Sequence, residues 1–200
     1  MTEDHNRKGF DIIAEEWAAM RKDMPVSKLV EAFSSGMKPG GTVLDVGCGS
    51  GYPEASYLSD CGMKVTGIDI SEKMLQKAAE LNIKNARFIH SDFFDFSPDE
   101  QFDGIIAIDS LFYIPIERQR EVYARLSKWI RPGGTLLFTH GNVEMEGIDH
   151  VFGELFISSS LDKETVLALL TQEGFEVEKT IDQYDDEAWT RKLVVFARKI

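Results

Sequence analysis

Cysteine is nearly missing from this 200-residue chain: Cys48 and Cys61 are the two present. Two thiols make neither a disulfide framework nor a structural zinc site, and they fall short of the three close thiolates of a radical iron–sulfur cluster. No metal is expected. Basic residues are also scarce, 22 Lys and Arg against 34 Asp and Glu, which leaves a formal net charge of −12. That balance lacks the basic footprint of nonspecific nucleic-acid binding and disfavours docking on anionic lipid. No apolar run approaches 18 residues; the longest, such as Ile105-Ile106-Ala107-Ile108, are strand-length. The start, Met1-Thr2-Glu3-Asp4-His5, is polar and offers no signal segment. Repeats, low-complexity tracts and Pro/Ser-rich linkers are missing as well. These absences lead us to expect a soluble, cytoplasmic protein with no nucleic acid and no membrane as partner, and they leave the oligomeric state open.

What is present fits one globular domain. Apolar residues make up 43% and charged residues 28%, and a chain of this length buries about 70% of its unfolded surface. Helical and strand patterns alternate. Phe10, Ile13, Ala14 and Trp17 recur at helical spacing, as do Val26, Leu29, Val30 and Phe33. Strands are expected at 42–46, 64–69, 86–90, 102–108 and 135–139. Helices are expected between them, with Ser71 and Asp162 as N-caps and Arg131-Pro132-Gly133-Gly134 stopping the helix before the fifth strand. Residues 141–160 show no clear period and read as a long loop or insertion. Two final strands, about 175–183 and 191–198, have no helix between them and should pair as an antiparallel hairpin. This alternation implies an α/β fold: a mainly parallel sheet with helices on both faces.

In open α/β sheets ligands sit beyond the C-terminal strand ends. The first such end is Asp45-Val46-Gly47-Cys48-Gly49-Ser50-Gly51. Its glycines allow a tight turn and close approach of a ligand, though a plain strand-to-helix turn would look the same. Asp45 separates the two readings, because a carboxylate before the glycines repels phosphate and suits a positively charged ligand. Asp69, 18 residues past Gly51, stands where an acidic side chain takes ribose hydroxyls; the competing reading is a carboxylate on the next helix dipole. Asp92 and Phe93 at the third strand end are either an adenine-reading pair or a turn cap beside core phenylalanines.

Together these segments resemble the class I S-adenosylmethionine-dependent methyltransferases, small-molecule branch, over about Phe10 to Ile200. The resemblance rests on Val43–Gly51, Gly67-Ile68-Asp69-Ile70-Ser71 and Asp92-Phe93. It also rests on Phe102–Ala107 with Ile130-Arg131-Pro132-Gly133-Gly134, and on the opening Phe10–Trp17. It implies a Rossmann-like seven-stranded sheet with an antiparallel C-terminal strand. S-adenosylmethionine would lie with its methionine part in the Gly47-Cys48-Gly49 turn and its ribose on Asp69. Ile70 and Met74 would flank the adenine, and Asp92 with the Phe93 backbone would read its edge. Asp45 fits the cationic part. One domain, 1–200, is expected to divide into a helical lid (1–36), a cofactor-binding core (37–140), a substrate-side insertion (141–160) and a C-terminal helix and hairpin (161–200).

Asp109-Ser110-Leu111-Phe112 lacks the proline pair of enzymes that methylate nucleic-acid bases. The expected reaction is therefore methyl transfer to O or N of a small acceptor, giving S-adenosylhomocysteine. Candidates around the acceptor are Asp109, Phe112, Tyr113, Thr139 and His140. His140 is the expected base, with Asp109 or Tyr113 in reserve, and a structural histidine is the competing reading. Trp17 and Arg21 share a helical face; Arg21 is the nearest cation for the cofactor carboxylate, and both residues could equally be packing. A cofactor-binding scaffold without transferase activity, and an NAD-dependent oxidoreductase, remain the alternatives.

Overall fold

The computed structural model describes residues 2–184 and 192–200. Two helices, α1 (Thr2–Lys22) and α2 (Lys28–Ser35), precede β1 (Thr42–Val46). Then come α3 (Glu54–Asp60), β2 (Lys64–Asp69), α4 (Glu72–Glu80), β3 (Ala86–His90) and β4 (Phe102–Ala107). A 3-10 turn at Leu111–Tyr113 leads to α5 (Ile116–Trp129) and β5 (Ile130–His140). The chain ends with β6 (Met145–Val151), β7 (Glu154–Ser160), α6 (Lys163–Gln172), β8 (Phe175–Tyr184) and β9 (Lys192–Lys199). Among the described residues no helix is long and apolar enough to cross a membrane.

The main sheet has seven strands in the order β3-β2-β1-β4-β5-β9-β8. β1 to β5 run parallel, and β9 lies antiparallel between β5 and β8. This is the expected Rossmann-like sheet. Successive side chains of a strand point to opposite faces, and the central strands obey this strictly. Leu44, Ile105, Leu136, Phe138 and Val195 belong to one buried cluster, which α5 and α6 cover; Val43, Ile106, Leu137 and Val194 belong to the other, under α2 and α3. Each such side chain contributes about 1.5–3 kcal/mol when fully buried. The strand order reverses between β1 and β4, whose ends therefore splay apart and open a crevice.

The caps act as expected. Ser71 Oγ accepts from Met74 N at 3.1 Å, and Asp162 accepts from Thr165 N at 2.9 Å. Ser71 Oγ also donates to Asp11 of α1 at 2.7 Å, pinning that helix over the N-terminus of α4.

Three expectations need correction. The first helix begins at Thr2, two turns before the apolar repeat. The helix before β5 stops at Trp129, and Ile130 already pairs with Phe102, so Arg131-Pro132-Gly133-Gly134 forms an irregularity within a strand. Residues 141–160 are no loop: β6 and β7 form a two-stranded antiparallel sheet of their own. Its turn residues, Phe152 and Gly153, both have positive φ, 49° and 84°. That is the twist a two-residue hairpin needs, but phenylalanine in place of the usual Asn or Asp hides the signal. Of the last expected strand, Arg191 lies outside the described residues.

Candidate functional site

A cavity of about 150 Å³ opens at the switch between β1 and β4. Its floor is the glycine turn after β1. Gly47 has φ +72°, and an added Cβ would collide with Ser110 of the loop after β4, whose Oγ donates to the Val46 carbonyl at 2.7 Å. Only glycine lets those two loops close on each other. Trp17 Nε1 lies 3.5 Å from where a Cβ on Gly49 would sit, so α1 roofs the same turn.

Every expected cofactor residue lines this cavity: Trp17, Arg21, Asp45, Gly47, Cys48 and Gly49, then Asp69, Ile70, Met74, Asp92, Phe93 and Asp109. Asp69 is more than an exposed acceptor. Its two oxygens take Gly49 N and Ser71 N, each at 2.8 Å, so one carboxylate fixes both the glycine turn and the start of α4. Burial raises its pKa, and those two N–H groups oppose the rise. Asp92 Oδ1 accepts from Phe94 N at 2.7 Å and holds the loop after β3. Asp45 is 3% exposed. Burial pushes its pKa well up, and the nearby charges of Glu54 and Asp69 push it further, with Arg21 opposing.

Glu54 was not foreseen. It opens α3 and takes Arg21 through both oxygens, at 2.6 and 2.7 Å. In sequence it looks like an ordinary acid at a helix N-terminus, and nothing local betrays a partner 33 positions away. Lys192 of β9 was missed for the same reason: it is 5% exposed and holds Asp109 Oδ1 at 2.8 Å and Oδ2 at 2.9 Å. Thr139 donates to Asp109 Oδ1 at 2.9 Å and receives the Asp109 N–H at 2.7 Å. Thr139 is thus buried support for Asp109 and does not line the cavity. Asn6, also unforeseen, lines the cavity edge and bridges α1 to the β6–β7 hairpin. Its amide donates to the Ile157 carbonyl at 2.8 Å and accepts Ile157 N at 2.9 Å.

His140 is placed elsewhere than expected. It is 2% exposed and absent from the cavity wall. Along β5 it shares the face of Leu136 and Phe138, which α5 covers. Nδ1 meets the Gly141 carbonyl at 2.9 Å and Nε2 meets Gln119 Oε1 of α5 at 3.2 Å. Burial lowers its pKa. Tyr113 does line the cavity, edge-on to Phe10 with ring centroids 5.0 Å apart. Burial, Asp149 and Asp109 drive its phenol far above the ordinary range. Phe112 packs on Tyr113 at 4.7 Å and lies outside the wall. Among the described residues no three His, Cys, Asp or Glu side chains are grouped to hold a metal ion.

The wall so built is acidic, and Phe10 and Trp17 of α1 and Tyr113 of the turn after β4 add aromatic rings to it. It suits a ligand long enough to run from β1 to β3 and positively charged where it meets Asp45.

Comparison with known proteins agrees with this geometry. Residues 43–134 match the family model described as a methyltransferase domain. Sterol 24-C-methyltransferase ERG6B of Gibberella zeae is 34% identical over 109 residues, 52% of this chain and 28% of that protein. The 2-methyl-6-phytyl-1,4-hydroquinone methyltransferase of Synechocystis sp. is 36% identical over 110 residues, 53% of this chain and 34% of that protein. The chain thus spans about a third or less of the length of these two curated relatives. In fold, it superposes on magnesium protoporphyrin IX methyltransferase from Synechocystis with bound SAH, with a TM-score of 0.78, 19% identity and 100% of both chains covered.

Proposed function

We propose that the chain, whose residues 43–134 match a methyltransferase-domain family model and whose fold is that of S-adenosylmethionine-dependent methyltransferases, is a class I enzyme of that kind and transfers a methyl group to O or N of a small-molecule acceptor. The observation that carries the reading is Asp45. A carboxylate buried at the foot of the cavity, flanked by Glu54 and Asp69, calls for a cationic ligand at that spot. The cofactor's sulfonium and ammonium answer that demand, where a pyrophosphate would be repelled. The other residues present fit the same group: a carboxylate for ribose at Asp69, apolar Ile70 and Met74 for a flat base, and an acceptor at Asp92.

When bound, the cofactor supplies an electrophilic methyl group, and its displacement needs no protein nucleophile. The chain's work is then alignment and exclusion of water. Asp69 shapes the turn. The α1 roof, with Trp17 over Gly49 and Phe10 against Tyr113, closes the acceptor side. The β6–β7 hairpin backs that roof: Phe156 lies 4.5 Å from Phe10 by ring centroid. We propose that 141–160 is a substrate-side insertion that backs the α1 roof without lining the cavity, with 1–36 as lid and 37–140 as cofactor core. Two free cysteines suit a cytoplasmic setting.

The test is titration with S-adenosylmethionine, S-adenosylhomocysteine and NADH, followed by a methyl-transfer assay across a metabolite panel. Binding of the first two and transfer to a small acceptor are expected. Preference for NADH overturns the reading, and tight cofactor binding without any transfer reduces the protein to a scaffold.

A further inference from the structure

Resting on that reading, we infer that the acceptor atom is a nitrogen whose lone pair is free at neutral pH, in a weakly basic amine or nitrogen heterocycle, and that hydroxyl acceptors are rejected. The argument starts from proton acceptors in the cavity wall. Asp45, Asp69 and Asp92 stand at the ends of β1, β2 and β3, along the half the cofactor would fill. Glu54 has both oxygens on Arg21. Asp109 faces the acceptor side, but Lys192 and Thr139 take up its oxygens and Lys192 cancels its charge. His140 is sealed behind β5, and Asp149, although close enough to act on Tyr113, is not in the wall. Tyr113 is there as a neutral phenol. Tyr52, also in the wall, belongs to the glycine-turn segment of the cofactor half, so among the described residues the acceptor side offers no side chain suited to remove a proton.

An alcohol or phenol reacts well only after losing its proton; a phenol does so near pH 10. Phenolates, carboxylates and phosphates arrive ionised, but of the five acidic side chains in the wall Glu54 pairs with Arg21 and Asp109 with Lys192, leaving Asp45, Asp69 and Asp92 without a basic partner among the described residues. A neutral nitrogen avoids both obstacles. Its lone pair forms the N–C bond to the methyl carbon as the C–S bond breaks, and the sulfur keeps the electron pair and becomes a neutral thioether. The positive charge passes to nitrogen, and an N–H proton, where there is one, leaves afterwards to water. Charge thus develops in a cavity whose wall holds the rings of Phe10, Trp17 and Tyr113 and more acidic than basic side chains, and both attract cations.

The test uses the full chain saturated with S-adenosylhomocysteine and measures binding of phenyltrimethylammonium, a mimic of an N-methylated product, against its neutral isostere tert-butylbenzene. The cation should bind about 10-fold tighter. In parallel, transfer is assayed with matched arylamine, imidazole and phenol panels. Transfer to nitrogen with a pH profile set by the acceptor's own protonation is expected. Equal or weaker binding of the cation, including none detected, overturns the inference, as does faster transfer to phenols. Failure of S-adenosylhomocysteine itself to bind would instead strike the underlying methyltransferase reading.

Discussion

Arg21 Nη2 lies 2.6 and 2.7 Å from the two carboxylate oxygens of Glu54, joining the last turn of α1 to the first turn of α3. The guanidinium also donates from Nε to the Tyr52 carbonyl at 3.3 Å and lies 5.9 Å from the Trp17 ring centre. The roof of the cavity is therefore latched to its floor by a pair whose side chains are 12% and 11% exposed. A cofactor carboxylate that approaches Arg21 has to share it with Glu54.

Removing one member of this pair should cost far more than removing both. A fully buried pair loses about 3–5 kcal/mol when one partner goes. This pair borders a cavity open to water, so about 2 kcal/mol is expected for Arg21→Met, a fall of about 4–8 °C in Tm at this size. Arg21→Met combined with Glu54→Leu should recover at least half of the loss. Thermal melts of the free protein check this; additive losses would mean that the pair is not coupled.

Asp69 should govern cofactor affinity through two routes, ribose contact and loop shape. A hydrogen bond to a charged group contributes about 1.5–3 kcal/mol, so Asp69→Ala should weaken binding roughly 10- to 150-fold. Because Asp69 also receives Gly49 N and Ser71 N, Asp69→Ala should lower Tm as well. Calorimetric titration of the folded variant decides, and unchanged affinity would remove Asp69 from the site.

Cofactor binding should release a proton from Asp45 wherever the free protein still holds it. Burial, Glu54 and Asp69 raise Asp45 above its ordinary 3.8. The native chain then holds this proton more tightly than the unfolded chain, so its contribution to stability falls as pH rises from the unfolded value through the native one. A cation set against the carboxylate lowers the pKa and expels the proton. Binding enthalpy should therefore vary with the ionisation enthalpy of the buffer. Asp45→Asn should abolish that variation, raise the Tm of the free protein at neutral pH and weaken cofactor binding.

The sheet and the strand-end half of the cavity were legible because period-2 alternation and strand-end chemistry are local. Val43 to Val46 alternate between two clusters, and Asp45, Asp69 and Asp92 each follow a strand recognisable by itself. The acceptor half depends on pairings far apart in sequence, Arg21 with Glu54 and Lys192 with Asp109, which no local pattern carries. His140 was readable in part. Two residues beyond Phe138 on the same strand, it had to share that side chain's face, and Phe138 belongs to the cluster under α5. Position at a strand end says that a residue is near the crevice edge; parity along the strand says which side of the sheet it takes.

His140→Ala should accordingly behave as a stability variant. It removes a buried ring that meets Gly141 and Gln119, at about 1–3 kcal/mol, while turnover per folded molecule should stay within about 2-fold of wild type. Burial holds the His140 pKa below its ordinary 6.5. The unfolded chain therefore takes up the proton first, and the stability His140 gives, complete above 6.5, is lost as pH falls through that value towards the native pKa. His140→Ala should flatten the fall in Tm over that window. A large loss of turnover with intact cofactor affinity and Tm would restore His140 as the base.

The roof should respond to cofactor as one body made of α1 and the β6–β7 hairpin. Phe156 is fully buried, and a Cβ on Gly9 would come within 2.8 Å of its ring, so helix and hairpin touch there with no room to spare. Asn6 fastens the same contact through both ends of its amide to the backbone of Ile157. Over-packing of this kind typically costs about 1–3 kcal/mol, and relief is easiest by lifting α1 from the hairpin. Hydrogen exchange of residues 2–22 should slow when S-adenosylhomocysteine is added, and exchange in 145–160 should slow with it, although the hairpin contributes no residue to the cavity wall. In Gly9→Ala the two segments should exchange faster without ligand, and cofactor should protect α1 more than the hairpin. Protection of α1 alone in the wild-type protein would mean that the helix closes by itself and that the hairpin is a separate element.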